Sequence, residues 1–284
     1  VTEGSLAVLE VLRRTEQYFG RAGIPSPRLD AEVLLAHVLG IPRIQLYAGF
    51  DRPLLAAELD RYRSLVRRRA QREPVAYLLE MKEFHSIEFR VGPSVLVPRP
   101  ETEHLVDAAV ERARPLASPR LLDLGTGSGA IAVSFARDLP GATFTATDAS
   151  REALATAREN AERAGVAERG EFVPGDLYEA VRGSLPFDVV ACNPPYVARG
   201  ETVDPECLRE PAIAIFTEGD PIDMYRRVIE GAPEVLVPAG WLLVELPGAK
   251  ADEVTALLPS GLVAETVIPD FHGLPRVLVA RLAR

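Results

Sequence analysis

The sequence predicts an α/β protein: a mostly parallel sheet covered by helices on both faces, preceded by a small helical bundle. Three observations carry this. From Pro119 onward, short apolar runs alternate with amphipathic stretches, the pattern of strands buried between two helix layers. The last two strand-like runs, 262–268 and 276–282, lie seven residues apart, too few for a crossover helix, so they must pair antiparallel. Residues 1–73, by contrast, carry only helical periodicity. A length of 284 residues with 47% hydrophobic and 26% charged side chains fits about two soluble globular domains.

Taken in order, residues 5–19 place Leu6, Leu9, Leu12 and Phe19 on one face, with Ser5 as N-cap. Residues 26–39 repeat the pattern through Leu29, Val33, Leu34 and Val38, with Pro27 at the first helical position and Gly40 as terminator. A short helical piece at 42–47 follows, then an amphipathic helix at 54–72 through Leu55, Leu59, Tyr62, Leu65 and Val66. Its basic stretch, Arg67, Arg68, Arg69 and Arg72, reads first as a solvated face and second as a contact surface for an acidic partner. Short strands are expected at 83–85, 87–91 and 95–97 around Gly92-Pro93, forming a hairpin that bridges the two parts. Arg99-Pro100-Glu101-Thr102-Glu103 then opens a helix to about Arg114, with proline and acidic residues in its first turn.

Beyond this point strands are expected at 120–124, 143–147, 171–173, 187–192 and 240–246, before the final pair. Helices are expected at 129–137, 151–164, 176–181, 221–236 and 249–258.

Composition narrows the function. Cys192 and Cys207 cannot build a disulfide framework, and Cys192 falls in an expected core strand, so a reducing, cytoplasmic setting fits. His37, His85, His104 and His272 show no ligand spacing, and no metal is expected. No long apolar run points to a membrane span. Net charge is −9 but uneven: residues 1–84 carry 13 Lys+Arg against 11 Asp+Glu, and the remaining 200 carry 19 against 30. An acidic second part disfavours extended contact with a nucleic-acid backbone.

Two motifs carry chemistry. Asn193-Pro194-Pro195-Tyr196 ends the run 187–192, and two prolines cannot extend a sheet ladder. Asn193 therefore stands at the carboxyl edge of a strand, where open α/β sheets bind ligands. Its carbonyl oxygen and the Pro194 carbonyl make two acceptors facing one point, a holder for an NH2 nitrogen. The second motif is Asp123-Leu124-Gly125-Thr126-Gly127-Ser128-Gly129-Ala130, between a strand and its helix. Its glycines let a ligand lie against bare main chain, and the helix start favours a negative group.

The loop alone fits a nicotinamide dinucleotide as well as S-adenosylmethionine. Asp123, just before the glycines, is a poor neighbour for pyrophosphate but a good partner for a methionine ammonium. Asp148 ends the second strand, where its carboxylate can accept from both ribose hydroxyls. Asp176, ending the third, can meet an adenine edge.

With both motifs in hand, the chain resembles the release-factor glutamine methyltransferases. The resemblance spans nearly the whole length: Arg28-Leu29-Asp30-Ala31-Glu32, Glu73-Pro74-Val75-Ala76-Tyr77, Glu83-Phe84, Pro98 to Glu103, the glycine loop, the Asn193 tetrapeptide and Glu210-Pro211. It implies a Rossmann-like class I S-adenosylmethionine-dependent methyltransferase sheet with an antiparallel C-terminal hairpin, plus the helical bundle joined by a β-hairpin. The corresponding division is 1–73 for substrate docking, 74–98 for the hairpin linker and 99–284 for catalysis. It further implies that Gly125, Thr126, Gly127, Ser128, Gly129 and Asp148 bind the cofactor and that Asn193 lies at the junction of cofactor and substrate; Asp123 and Asp176, read from their positions, and Leu177 beside Asp176 complete the expected cofactor site. Asn193 and Pro194 would be catalytic, with Pro195 and Tyr196 lining a glutamine pocket. The implied partners are class 1 peptide chain release factors, methylated at the glutamine of their Gly-Gly-Gln motif, with no direct nucleic acid, membrane or metal. The sequence departs from the family pattern at Glu80, where a glycine is expected, at Leu177, where some members carry Trp, and at Glu245-Leu246-Pro247-Gly248.

The expected reaction is methyl transfer to a carboxamide nitrogen, promoted by orientation and by acceptors that stabilise developing positive charge. No histidine or lysine stands in the motifs, so no general base is assigned. For the same reason kcat should show no histidine-like ionisation near neutral pH. Alternatives of other kinds are a nucleic-acid amino-methyltransferase (adenine N6 or guanine N2), a dinucleotide-dependent oxidoreductase, and a non-enzymatic docking protein. The second of these leaves Asp123 and the tetrapeptide unexplained.

Overall fold

The computed structural model describes residues 6–184 and 186–284. They form two compact units. One extends to Met81 and also takes in Asp204–Arg209; the other comprises Lys82–Val203 and Glu210–Arg284.

The first unit is helical: α1 (Val8–Arg21), α2 (Pro27–Leu39), α3 (Ala56–Ala70) and the short α4 (Val75–Leu79). A 3-10 turn at Arg43–Ala48 sits between α2 and α3. The expected cap Ser5 lies outside the described residues; α1 starts after Ala7 with no side-chain cap. Phe19, Leu34, Leu35, Leu46 and Tyr62 fill the core, and the Tyr62 hydroxyl donates to the Ala31 carbonyl at 3.0 Å. Leu29 and Leu55, counted on the apolar faces from periodicity, are exposed instead.

The basic stretch of α3 is not one patch. Successive helical residues turn by about 100°, and Arg69 points inward, only 3% exposed. Its guanidinium donates to Asp30 Oδ2 at 2.7 Å, to the Glu73 carbonyl at 3.1 Å and to Glu206 Oε1. Arg68 pairs with Glu73, and Arg72 donates to the Ala22 and Gly23 carbonyls. Glu206 belongs to the six-residue return Asp204–Arg209, where Arg209 also donates to the Gln71 carbonyl at 2.7 Å. Glu80 ends α4 in the left-handed region at φ 56. The backbone there is the one a glycine serves best, and the glutamate adopts it at the cost of strain.

The hairpin at the start of the second unit is β1 (Met81–Phe84) with β2 (Ile87–Arg90). It turns at His85 and Ser86, both at positive φ (49 and 58), the type I′ geometry that matches strand twist. The expected turn at Gly92-Pro93 is present, closed by the Val95 N–H on the Gly92 carbonyl at 3.1 Å, but the expected strand at 95–97 is absent: the chain there is irregular, and the Val97 N–H goes to the Glu210 carboxylate at 2.9 Å rather than to a ladder.

The main sheet takes shape after α5 (Glu103–Ala113), which follows a 3-10 turn at Pro100–Thr102. Its elements alternate as β3 (Arg120–Leu124), α6 (Ala130–Asp138), β4 (Thr143–Asp148), α7 (Arg151–Arg163), β5 (Gly170–Pro174) and β6 (Phe187–Cys192). A small excursion follows, with β7 (Val197–Ala198), α8 (Ala212–Ile215) and β8 (Phe216–Thr217). The chain ends with α9 (Pro221–Gly231), β9 (Leu236–Glu245), α10 (Ala251–Thr255), β10 (Leu262–Pro269) and β11 (Pro275–Leu282).

Seven strands order as β10-β11-β9-β6-β3-β4-β5, parallel except at β11, which pairs antiparallel with both neighbours. Sequence order reverses between β3 and β6, and such a switch point opens a crevice at the strands' carboxyl ends. Register makes that edge specific. Leu124 pairs Cys192 and Thr147, and Cys192 pairs Val244. The next residue on each strand path is therefore Gly125, Asp148, Asn193 or Glu245, and all four reach one rim. Beneath it Leu122, Val190, Leu242, Leu278, Phe187 and Tyr225 are fully buried and hold the rim rigid.

Candidate active site

The cleft at the switch point has a volume of ≈790 Å³ out to its open mouth, within the range of small-molecule sites. Its walls bring together Gly125, Gly127, Asp148, Asp176, Leu177, Asn193, Pro194 and Pro195 from the residues singled out in the sequence. Leu96, Ala149, Gly175, Cys192, Ile213, Ala214 and Met224 complete it. Asp123, Thr126, Ser128, Gly129 and Tyr196 are not on that wall.

The glycine loop divides by role. Gly125 (φ 68) and Gly127 (φ 56) have open space where a Cβ would stand, so their main chain lies bare to the cleft. At Gly129 (φ 83) a Cβ would meet Ala157 at 3.1 Å, so this glycine lets α6 and α7 approach. Asp123 sits beneath the loop, fully buried. Its Oδ2 accepts from Thr126 Oγ1 at 2.6 Å and from the Ala132 N–H at 3.2 Å, while Oδ1 has no partner. At this point of β3 the side chain turns under the loop and braces it through Oδ2. Thr126 also donates its N–H to Thr147, and the Ser128 carbonyl accepts from Asn160 Nδ2 at 2.8 Å. Both residues build the loop rather than face the cleft.

Asn160 was missed from sequence. It is 2% exposed and also bonds both backbone groups of Arg90, so one amide ties α7, the loop and the end of β2 together. Nothing local marks it, because its partners lie 32 and 70 residues away.

Asp148 accepts from the Gly127 N–H at 2.9 Å through Oδ2 and from the Ser150 N–H at 2.8 Å through Oδ1. Each oxygen keeps lone-pair capacity for a ligand hydroxyl. Burial raises its pKa, opposed by hydrogen bonds from the main-chain N–H groups of Ser150, Gly127 and Ala149. Asp176 lies at the mouth and takes a hydrogen bond from Arg227 at 2.6 Å; Leu177, at φ 48, presents an aliphatic side chain beside it.

Asn193 is anchored from behind. Its Nδ2 donates to Thr102 Oγ1 at 3.2 Å, and Thr102 Oγ1 donates to Glu245 Oε2 at 2.7 Å. With the NH2 group engaged, the amide oxygen is the end left for a ligand. Glu210, whose carboxylate is buried, accepts from Val97 N–H and from Arg99, pinning the chain that leads into Thr102. Thr102, Glu245 and Glu210 stood in quoted motifs without a role; only the fold joins them. Tyr196 packs on the core, and burial raises its phenol. Burial likewise raises the Cys192 thiol far above its usual range, so it stays a neutral wall group.

Two carboxylates alter the expected pH behaviour. Burial pushes Asp123 up to about 7, against the Thr126 and Ala132 hydrogen bonds. Burial also pushes Glu245 up to about 7, against the Thr102 hydroxyl and Arg276. These two carboxyls are groups other than a general base that can ionise near neutral pH. Among the described residues no group of three or more His, Cys, Asp or Glu is gathered to hold a metal ion, and no helix is long and apolar enough to cross a membrane.

Comparisons with known proteins agree with this architecture. Residues 10–79 match the family model described as PrmC N-terminal domain, and residues 102–212 match the methyltransferase small domain. The release factor glutamine methyltransferase of Geobacter sulfurreducens is 40% identical over 97% of this chain and 96% of its own. That of Chlorobaculum tepidum is 41% identical over 96% of each chain. That of Deinococcus radiodurans is 38% identical over 96% of this chain and 98% of its own. Among solved structures, a methyltransferase from Pyrococcus furiosus is 20% identical, with a TM-score of 0.50 over 69% of this chain and 88% of that one. A ribosomal protein L11 methylase from Lactobacillus delbrueckii subsp. bulgaricus is 18% identical, also at 0.50, over 66% of this chain and 81% of that one. These two speak to the fold.

Proposed function

The chain belongs to the release factor glutamine methyltransferase family, and from that premise we propose that it methylates the side-chain nitrogen (N5) of the glutamine in the Gly-Gly-Gln motif of class 1 release factors. It is an S-adenosylmethionine-dependent methyltransferase. The observation that carries the finer reading is the anchored Asn193, whose free amide oxygen stands at the rim beside the bare glycine loop.

The residues present suit the cofactor. Gly125 and Gly127 leave main chain open where an amino-acid moiety can lie, Asp148 has lone pairs for ribose hydroxyls, and Leu177 offers an apolar surface to an adenine face. When bound, S-adenosylmethionine supplies an electrophilic methyl group on a sulfonium. The protein's part is to present the nucleophile. A carboxamide nitrogen is weakly nucleophilic because its lone pair is shared with its carbonyl. Asn193 Oδ1 and the Pro194 carbonyl each accept one of its N–H bonds, which fixes its line of approach; orientation of this kind can supply about 7–11 kcal/mol. The same two dipoles stabilise positive charge as it develops on nitrogen. The proton then leaves the N-methylated amide to water. Pro195 shapes the wall behind the glutamine with Tyr196 packed behind it on the core, residues 1–73 dock the rest of the release factor, and the work is cytoplasmic, where release factors act.

The test is an incubation of the full chain with methyl-labelled S-adenosylmethionine, a class 1 release factor and bulk nucleic acid together. Label on the Gly-Gly-Gln glutamine is the expected result; label on adenine or guanine would overturn it. For the cofactor contact, Asp148→Ala should weaken S-adenosylmethionine by about 1.5–3 kcal/mol, the worth of hydrogen bonds to a charged group. Titration calorimetry giving an unchanged affinity would place the ribose elsewhere.

A further inference from the structure

Asn193, Thr102 and Glu245 come from three distant parts of the chain and meet at the end of the sheet. Thr102 closes the 3-10 turn before α5, which packs across β6 and β9, and Asn193 and Glu245 step off those two parallel strands side by side. Thr102 is 5% exposed and Glu245 2%, so these two groups behind Asn193 have little water to turn to. An amide side chain at a strand end can flip by 180°, exchanging its donor and acceptor ends. For a site that needs an acceptor, half of those states are useless.

The structure contains what removes the ambiguity. An ionised carboxylate has no proton to give, so the Thr102 hydrogen must go to Glu245 Oε2 at 2.7 Å. The Thr102 oxygen is then left as an acceptor, and only the NH2 end of Asn193 satisfies it, at 3.2 Å. Resting on the reading of Asn193 as holder of the substrate nitrogen, we propose that Thr102 and Glu245 are positioning residues that polarise this chain in one direction and so keep Asn193 Oδ1 facing the substrate.

The charge state of Glu245 sets the direction. When protonated it can donate to Thr102, and Thr102 can then donate to Asn193 Oδ1, turning the amide the wrong way round. The groups bearing on Glu245 are Arg276 of β11, itself paired with Asp270 at 2.9 Å, and Glu101 and Arg99 from the segment before α5. Tyr225 of α9 donates to the Glu245 main-chain carbonyl at 3.0 Å, and Tyr196 and the Cys192 thiol lie near it. Burial outweighs the favourable field of Arg276, and the group titrates at about 7. The productive orientation is accordingly the one present above neutral pH and lost below it.

The test uses the full-length protein and four readouts: kcat on a release factor at saturating cofactor, its pH profile, calorimetric S-adenosylmethionine affinity, and the Asn193 side-chain amide resonances by NMR. Thr102→Val keeps shape and removes the hydroxyl; kcat should fall about 10²-fold, the effect of a small misplacement of a catalytic group, with cofactor affinity unchanged. Thr102→Ser should restore most of it. Wild-type kcat should rise with pH through about 7, and Glu245→Gln, which cannot ionise, should abolish that rise. The Asn193 NH2 resonances should shift in Thr102→Val. Unchanged resonances and kcat in Thr102→Val, or a pH rise that persists in Glu245→Gln, would overturn the proposal even if a variant were unstable. If wild type methylates no glutamine while the NMR shift appears, the functional reading fails and the orienting chain stands.

Discussion

Asn193→Ala is expected to lower kcat about 10²–10³-fold, the usual cost of one preorganised electrostatic contact, with little change in S-adenosylmethionine affinity. Asn193→Asp is the sharper variant. Aspartate keeps an acceptor of nearly the same shape, so a residue serving only as an acceptor would tolerate it. Asn193 does more: its NH2 group satisfies Thr102 Oγ1, whose hydrogen is already given to Glu245. A carboxylate at 193 would compete with Glu245 for that one hydrogen, and a second negative group would face the buried Glu245 across a hydroxyl. Both variants should therefore be nearly inactive. Single-turnover rates measured at saturating cofactor decide the matter, and an aspartate variant retaining a tenth or more of wild-type activity would show that the amide hydrogens are dispensable.

The second large effect concerns stability. Arg69→Met should destabilise the helical unit by about 3–5 kcal/mol, the penalty for leaving a buried ion without its partner. The burden falls on Asp30, 7% exposed and bonded to Arg69 Nε at 2.7 Å; Glu206 is better solvated and can turn to water. The double variant Asp30→Asn with Arg69→Met removes the stranded charge and should recover much of the loss. Denaturant unfolding, followed by a probe in the first 81 residues so that a local transition is not averaged away, measures both. A loss below about 1 kcal/mol, the value of a surface ion pair, would mean that water reaches Asp30.

What could be read from the sequence follows from how local each signal is. The strand 187–192 and its proline stop needed no knowledge of the rest of the chain, and β6 has those bounds. The antiparallel end of the sheet followed from a seven-residue gap, and β10 and β11 pair that way. Val95 and Val97 misled because buried valines suggest a strand, yet the Val95 N–H closes a turn on the Gly92 carbonyl and the Val97 N–H goes to the Glu210 side chain, 113 residues on. Strands of two residues, such as β7 and β8, are too short to leave a periodic trace. At the cleft, the wall formed by Gly125, Gly127, Asp148 and Asn193 was legible because each stands at a strand end. That the Asp123 side chain turns under the loop was not legible, because strand-end position does not say which way a side chain turns. The support behind Asn193 was illegible: Thr102 and Glu245 are 91 and 52 positions from it, and no spacing rule links them.

The return of Asp204–Arg209 to the helical unit makes that unit discontinuous. It cannot be lifted off as a cassette: a single crossover or a single nick after Met81 leaves six of its residues, Glu206 among them, on the other polypeptide. Any exchange of this unit between relatives must carry a matching segment between Val203 and Glu210, or else leave Arg69 without its Glu206 partner. Two stretches more than a hundred residues apart are thereby bound to change in concert.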